Sequence, residues 1–318
     1  MTKAVRTIAV GAAISLSAAQ AHALNTRTWI SGKGTDAAGC GPIATPCRTL
    51  QFAHDQTSSG GEIDVLDSAG YGSVIITKGI SVVGDGVIAG ILAGAGANAI
   101  TINAGASDKI LLRGLTIEGA GIGLNGIYFS SGGMLDVANC VIQNFVSQSS
   151  GAGIFLQPTS GSPTFAITNS DLSHNHYAGL VYSPPLNASA TGSLTIDHVT
   201  AIDNGSYGFN FYGVNTSGTT DVTVSNSLAA KSGLSGFLVN GSLLRVDIDL
   251  CRANENGGDG YKAISGTLTI GRSVGANNHF NGLRNPGSGG TILSYGDNRF
   301  GGNGGGPTGG TIGVATLH

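Results

Sequence analysis

Three residues of the sequence have the side-chain types of general acid–base catalysis: Asp171, His174 and Asp203. A carboxylate beside an imidazole is the minimum set for moving a proton near neutral pH. His174 and Asp203 are 29 residues apart, so a long-range structural element must bring them together. The alternative is a solvated surface on which opposite charges are neighbours without a function, an arrangement that adjacent strands favour.

Other residues have side chains that suit binding. Tyrosine rings offer flat apolar surfaces with a polar end, which suits contact with sugar rings. The candidate binding residues are Tyr177, Tyr182, Tyr207, Tyr212, Lys231 and Glu255. The alternative for Tyr177 is a turn residue before an inward leucine, and the alternative for Lys231 and Glu255 is a pair of solvated charges on neighbouring coils.

A second group of acids, Asp247, Asp249, Glu255 and Asp259, raises the question of a bound cation. Asp247 and Asp249 point the same way if they lie in a strand, because alternate strand residues share a face. Their spacing matches no calcium-binding loop, which favours solvated turn acids. We therefore predict neither a metal site nor a cofactor.

A repeat of 22–30 residues organises the chain from residue 135 onward. Its units begin with the apolar triplets LDV (135), FAI (165), LTI (194), VTV (222), VDI (246) and LTI (268). Counting from the first triplet residue as position 0, position 10 holds Asn175, Asn204, Ser232, Asn256 and Asn278. Position 14 holds Gly179, Gly208, Gly236, Gly260 and Gly282. Position 9 holds His174, Asp203, Lys231, Glu255 and Asn277.

Each unit contains three short segments in which apolar residues alternate, which indicates three short strands with one buried face each. Such units stack as the coils of a solenoid, about 4.8 Å apart. A leucine-rich repeat would need a helical segment per unit, which these Gly-, Asn- and Ser-rich units disfavour. We predict an all-β, right-handed parallel β-helix in which position-10 asparagines stack. His174 and Asp203 then lie one coil apart, as do Lys231 and Glu255.

The ends of the chain predict further features. Residues 1–23 have the pattern of a signal peptide cleaved after Ala23, which predicts a secreted or periplasmic protein. Residues 24–60 form an N-terminal cap with a short helix within 46–59, residues 61–300 form the coils, and 301–318 form a Gly-rich, irregular tail.

The four cysteines divide into two pairs with different predicted roles. Cys40 and Cys47 are close enough in sequence to close a disulfide loop in an oxidising compartment. Cys140 and Cys251 both occupy position 5 but lie four coils apart, about 19 Å, which is too far for a disulfide. We expect both to be small buried residues.

Composition limits the partners of the protein. The chain has 318 residues, 54 glycines and 10% charged residues. Loss of residues 1–23 would remove two basic and no acidic residues, changing the formal charge from −3 to −5. A mildly acidic chain without basic runs disfavours nucleic acid as a partner, and no later segment is apolar enough to span a membrane. The oligomeric state stays open.

The N-terminal order RTWISGKGTD, PCRTLQFA and GGEIDVLDSAGYGSVIITKGISVVGDG, followed by N-x-x-x-G-[FLY] coils, resembles exported bacterial β-helix proteins of the pectin-lyase-like superfold. The resemblance implies that fold and, more loosely, a polysaccharide ligand, since characterised members are mostly polysaccharide lyases, glycoside hydrolases, pectin esterases and phage or adhesin fibres. The NTD, double-Asp and RIK segments of polygalacturonase-like enzymes are not found; NSD at 169–171 is the nearest match.

Two functions follow as expectations. The first is a protein that binds or acts on extracellular carbohydrate along a lateral face, with lyase-like or glycosidase-like chemistry if it is an enzyme. The second is a non-enzymatic surface, matrix or adhesion protein that uses the stacked face itself. Low charge, few aromatic residues and the missing catalytic segments favour the second function, whereas the resemblance favours the first.

Overall fold

The computed structural model describes residues 24–146, 151–214 and 216–316. The predicted signal peptide lies outside the described residues. The chain forms a right-handed parallel β-helix in which successive coils pair in register, for example Leu194 with Val222. Each coil contributes strands to three parallel sheets, so equivalent residues of neighbouring units become neighbours in space.

Sheet 1, which contains the apolar triplets, consists of Asn25–Ile30, Thr57–Val65, Ile80–Val83, Lys109–Arg113, Met134–Ala138, Thr164–Thr168, Gly192–Asp197, Thr220–Ser225, Gly290–Ser294 and Gly313–Val314. Sheet 2 consists of Ala69–Gly70, Ala89–Leu92, Leu115–Glu118, Val141–Gln143, Thr200–Ile202, Leu228–Ala230, Arg252–Asn254, Val274–Ala276 and Arg299–Gly301. Sheet 3 consists of Val74–Ile76, Ile100–Asn103, Ile127–Ser131, Ala152–Leu156, Ala178–Tyr182, Tyr207–Tyr212, Asn281–Arg284 and Gly306–Gly309. Two long strands, Phe237–Asp249 and Tyr261–Gly271, run from sheet 3 into sheet 1.

The core lies inside the coils and is filled by the alternating apolar residues. Phe209, Phe237 and Tyr261 stack from coil to coil, with ring centroids 4.8 and 5.0 Å apart. Burial of each such side chain contributes roughly 1.5–3 kcal/mol. Cys140 and Cys251 are buried free thiols in this core, as predicted.

The position-10 asparagines form a buried ladder. The N–H of Asn175 donates to Oδ1 of Asn204 at 3.0 Å, and that of Asn256 donates to Oδ1 of Asn278 at 3.0 Å. The position-14 glycines leave room for this ladder: a Cβ at Gly260 would lie 2.9 Å from Nδ2 of Asn278. Crowding against the next coil therefore explains this glycine column.

Two left-handed residues per coil make the turns on either side of sheet 2. One set is Asn139, Asn169, His198, Asn226, Leu250 and Arg272, with φ of 46° to 54°. The other is the position-9 set, Asn144, His174, Asp203, Lys231, Glu255 and Asn277, with φ of 53° to 62°. The position-9 residues thus have a structural role, because their left-handed backbone makes the turn between sheets 2 and 3. Their side chains lie along this turn.

The N-terminal cap contains the single helix of the described residues, Leu50–Gln56. The hydroxyl of Thr49 accepts a hydrogen bond from the N–H of Phe52 and starts the helix, and a strand begins at Thr57. The helix is therefore shorter than the predicted segment 46–59. Cys40 and Cys47 form a disulfide with a Cα–Cα distance of 5.1 Å.

The Gly-rich segment from residue 301 is more regular than expected. Gly306–Gly309 pairs with Asn281–Arg284, and Gly313–Val314 pairs with Gly290–Ser294. The expectation of an irregular tail is therefore wrong for these residues, because parallel pairing with the preceding coil satisfies their backbone groups. None of the described helical segments has the length and hydropathy needed to cross a membrane.

Candidate functional site

The structure brings His174 and Asp203 together. Nε2 of His174 lies 3.7 Å from Oδ2 of Asp203, and the two side chains are 57% and 46% exposed. Asp171 lies on sheet 2, between Val141 and Thr200, and accepts a hydrogen bond from the hydroxyl of Ser173. Within the described residues, no hydrogen bond or ion pair joins Asp171 to His174 or Asp203. The predicted trio is therefore one exposed pair and one separately bonded carboxylate.

The other position-9 pair behaves differently. Lys231 and Glu255 are exposed side chains on successive coils. Both lie in the described part of the chain, and they form no ion pair within 4.0 Å there. Their predicted role in binding stays a prediction.

Three of the four candidate tyrosines lie on the outer surface of sheet 3 or at its edge. The rings of Tyr177 and Tyr207 pack edge to face, with centroids 5.8 Å apart, and both are half-buried. Tyr212 is 40% exposed. Burial raises the pKa of Tyr177 and of Tyr207, so both hydroxyls are neutral near pH 7.

The predicted binding role of Tyr182 is wrong, because its side chain points into the core and cannot contact a ligand on the surface. Its side chain is 2% exposed, and its hydroxyl lies 2.7 Å from Oγ1 of Thr220. It pairs in register with the core residue Phe211, so it points inward. The sequence already indicated this orientation. Leu180, at position 15, is inward, and Tyr182, at position 17, is two residues later in the same strand and therefore points to the same side.

We define the sheet 3 face as the outward residues of this sheet and the rings packed on them. One row of the face passes in register through Tyr128, Phe155, Val181, Asn210, Leu238, Lys262 and Arg284. Val181, Asn210 and Leu238 are buried although they point out of the solenoid. Phe155, Tyr177 and Tyr207 pack on an outer apolar cluster of Ala152, Ala178 and Val181.

A buried acid with two cations lies farther along the same face. The side chain of Asp259 is 2% exposed; its Oδ2 lies 3.8 Å from Nζ of Lys262 and 3.6 Å from Nη1 of Arg284. Its Oδ1 accepts the N–H of Asn281 at 3.0 Å. The carboxylate therefore holds both cations at the surface, and the group of three side chains keeps a net positive charge.

The sheet 3 face thus combines aromatic rings, a buried amide and fixed charges along one line. Such a combination suits a long polar ligand with apolar ring faces. Sequence reasoning missed Asn210, Lys262 and Arg284 as members of the site. Their signal was the alternation of the strand residues: Asn210 and Lys262 each lie between two inward residues, and Arg284 follows the inward residue Leu283.

The second acid group is dispersed by the fold. Asp249 accepts a hydrogen bond from Nε of Arg272 at 2.9 Å and, together with Asp247 and Tyr295, lines a cleft of about 630 Å³ on sheet 1. Asp259 lies two residues before the strand Tyr261–Gly271, at the edge of sheet 3, and Glu255 is on a turn. Among the described residues, no three His, Cys, Asp or Glu side chains are grouped closely enough to hold a metal ion.

Comparison with solved structures gives a match over most of the chain. The crystal structure of pectate lyase Pel9A superimposes with a TM-score of 0.66 at 14% identity, covering 92% of this chain and 78% of that chain. The chain therefore has the parallel β-helix fold of the pectin-lyase-like type. No family model matches the sequence, and no curated protein matches it.

Proposed function

We propose that this chain is an exported protein that binds an extracellular carbohydrate along the sheet 3 face. The observation that carries the proposal is the pair of half-buried rings, Tyr177 and Tyr207, packed at 5.8 Å beside the buried Asn210. Sugar rings have apolar faces that pack on aromatic rings and hydroxyl groups that pair with amides and charges. Tyr177 and Tyr207 lie on successive coils, so the surface formed by their rings extends along the axis of the solenoid, as a chain-like ligand requires.

Two further observations support the class of ligand and the compartment. One structural neighbour is a pectate lyase, whose name describes action on a polysaccharide. The disulfide between Cys40 and Cys47 is typical of an oxidising compartment, in agreement with the signal-peptide pattern of residues 1–23. N-terminal sequencing of protein recovered from the periplasm and medium should begin at Leu24; a chain that keeps Met1 and stays in the cytoplasm would contradict export.

The binding proposal is tested with Tyr207→Ala and a panel of neutral and acidic oligosaccharides in calorimetric titrations. Loss of the ring removes the packing surface, so we expect affinity to fall roughly 10- to 100-fold, as for removal of an interface aromatic. The matched control is Tyr295→Ala, which removes a tyrosine that is 41% exposed, directly follows the sheet 1 strand Gly290–Ser294 and lies away from the sheet 3 face. Equal losses in both variants, or no binding by the unmodified protein, would contradict the proposal.

A second candidate function, cleavage of the bound chain, is favoured by the exposed pair His174 and Asp203. Asp203 precedes Tyr207 by four residues in the same turn, so the pair lies beside the edge of the sheet 3 face. A carboxylate next to an imidazole supplies the acid and base that glycan cleavage requires. We expect new reducing ends or unsaturated products from the unmodified protein and a loss of about 100-fold or more in Asp203→Asn. Product formation at the same rate in this variant would exclude the pair.

A further inference from the structure

A second cleft, of about 360 Å³, lies where the turn between sheets 1 and 2 meets the outer surface of sheet 2. Three arginines line it: Arg252, Arg272 and Arg299. Among the described residues, Asp297 is the only acidic side chain in this lining. The chain as a whole has a formal charge of −3, so a cleft with an excess of arginine departs from its composition.

The two arginines of sheet 2 lie on one outward row. Arg252 pairs in register with Val274, and Val274 pairs with Arg299, so the Cα atoms of the two arginines are two coils apart, about 10 Å. The residues that follow them, Ala253 and Phe300, belong to the core or pack against it, so both arginines point outward. Arginine side chains are long, and both guanidinium groups can therefore reach a ligand that lies over Val274.

Arg252 and Arg299 differ from the other arginines because they have no partner. Eight arginines lie in the described residues, and six of them lie beside a carboxylate or donate to a backbone carbonyl: Arg27, Arg48, Arg113, Arg245, Arg272 and Arg284. The guanidinium groups of Arg252 and Arg299 form no hydrogen bond or ion pair within the described part of the chain. Both side chains are exposed, and both line the same cleft.

We propose that this cleft is an anion site in which Arg252 and Arg299 hold a tetrahedral oxyanion, a sulfuryl or phosphoryl group, over Val274. Guanidinium groups bind such groups through paired N–H donors of fixed geometry. The site goes beyond the proposed carbohydrate function, because it shares no residue with the sheet 3 face.

Arg272 adds a third donor from the turn. Its Nε and Nη2 donate to the carboxylate of Asp249, and its backbone N–H donates to Asp297 at 2.9 Å, so Nη1 is the part of the guanidinium group left for a ligand. With both aspartates counted, the three arginines leave the cleft a net charge of +1. Donors from Arg252, Arg272 and Arg299 come from two coils and a turn. A tetrahedral anion can accept them with separate oxygens, whereas a carboxylate has two oxygens in one plane.

The test uses Arg252→Gln and Arg299→Gln in calorimetric titrations at constant ionic strength. The probes are inorganic sulfate, inorganic phosphate, galactose 6-sulfate and, as a planar anion, galacturonate. We expect the unmodified protein to bind at least one tetrahedral probe more tightly than galacturonate. Each variant should bind that probe at least 10-fold more weakly, because it loses a charge-assisted contact. The tighter of the free ion and the sugar ester identifies the source of the group.

The matched control is Arg245→Gln, which removes one positive charge from an exposed arginine that lies 3.8 Å from Asp221 on sheet 1. Its affinity for the anion should stay within about twofold, because exposed charges act weakly at a distance in salt. Arg252→Lys keeps the charge but loses the paired donors, so its affinity should fall by about threefold or more. The glutamine variants should melt within about 2 °C of the unmodified protein, because neither side chain has a partner to lose.

The outcomes separate a built site from general attraction of anions. Equal losses in Arg252→Gln and Arg245→Gln would show attraction by surface charge and would overturn the site. The site is also refuted by an Arg252→Lys variant that binds as tightly as the unmodified protein, by preferred binding of galacturonate, or by the failure of all tetrahedral probes to bind. Neutral oligosaccharides take no part in this test, so either proposal can fail without the other.

Discussion

The asparagine ladder has one interruption, at Ser232, and filling it should stabilise the protein. Ser232 is 1% exposed, and its hydroxyl has no hydrogen-bond partner. On the next coil, Asn256 accepts the N–H of Ser232 at 3.0 Å and donates to the carbonyl of Ala229 at 3.3 Å. In Ser232→Asn, the new amide would accept the N–H of Asn204 and donate to the carbonyl of the equivalent sheet 2 residue, both on the preceding coil.

The space and the magnitude both follow from the neighbouring coils. Gly208 occupies the place that Gly236 and Gly260 occupy beside the amide nitrogens of ladder asparagines, so no Cβ blocks an asparagine at 232. Two new buried hydrogen bonds contribute about 0.5–1.5 kcal/mol each, and ordering a longer side chain opposes them by up to about 1 kcal/mol. We expect a net gain of about 1–2 kcal/mol, or roughly 2–6 °C in melting temperature.

The assay is thermal unfolding followed by circular dichroism, with urea unfolding as a second measure. The reverse substitution, Asn256→Ser, creates a second interruption and should cost about 1–3 kcal/mol, because partners of the amide are left buried and unpaired. A melting temperature of Ser232→Asn at or below that of the unmodified protein would refute the ladder reasoning. So would an Asn256→Ser variant as stable as the parent.

Two further predictions concern a turn and the cap. Leu250 has a φ of 54°, in the left-handed region that asparagine tolerates better than leucine, and its side chain is 46% exposed. Leu250→Asn should therefore stabilise the folded protein by about 1 kcal/mol, whereas Leu250→Ala keeps the backbone strain and should not. Equal melting temperatures of the two variants would contradict this. Burial lowers the pKa of His54, whose Nε2 accepts the N–H of Thr77 at 3.3 Å. The unfolded chain therefore binds this proton more readily, so stability is complete above about pH 6.5 and falls as the pH drops toward the folded pKa. The melting temperature should decrease less between pH 7.5 and pH 5 in His54→Gln than in the parent; identical decreases would exclude His54 as the cause.

The candidate site was only partly predictable from the sequence. The adjacency of His174 and Asp203 followed from their common repeat position, and the structure places them 3.7 Å apart. The sequence did not show that this position is a left-handed turn, which gives these residues a backbone role besides any chemistry. Tyr182 was wrongly assigned to the surface, although its parity with Leu180 already indicated the core.

The sequence alone determined the repeat, the parallel stacking, the asparagine ladder and the separation of Cys140 from Cys251. These features depend on one unit and its copies, so the local alternation and the positions of Asn and Gly suffice to derive them. Only the tertiary structure decided which outward residues are covered and which are left unpaired. Asn210 donates a hydrogen bond to the hydroxyl of Tyr177, one coil away and 33 residues earlier, and the buried Asp259 lies beside Lys262 and Arg284, which belong to two different strands. Such contacts arise from side-chain directions on neighbouring coils, which the period of the repeat does not specify.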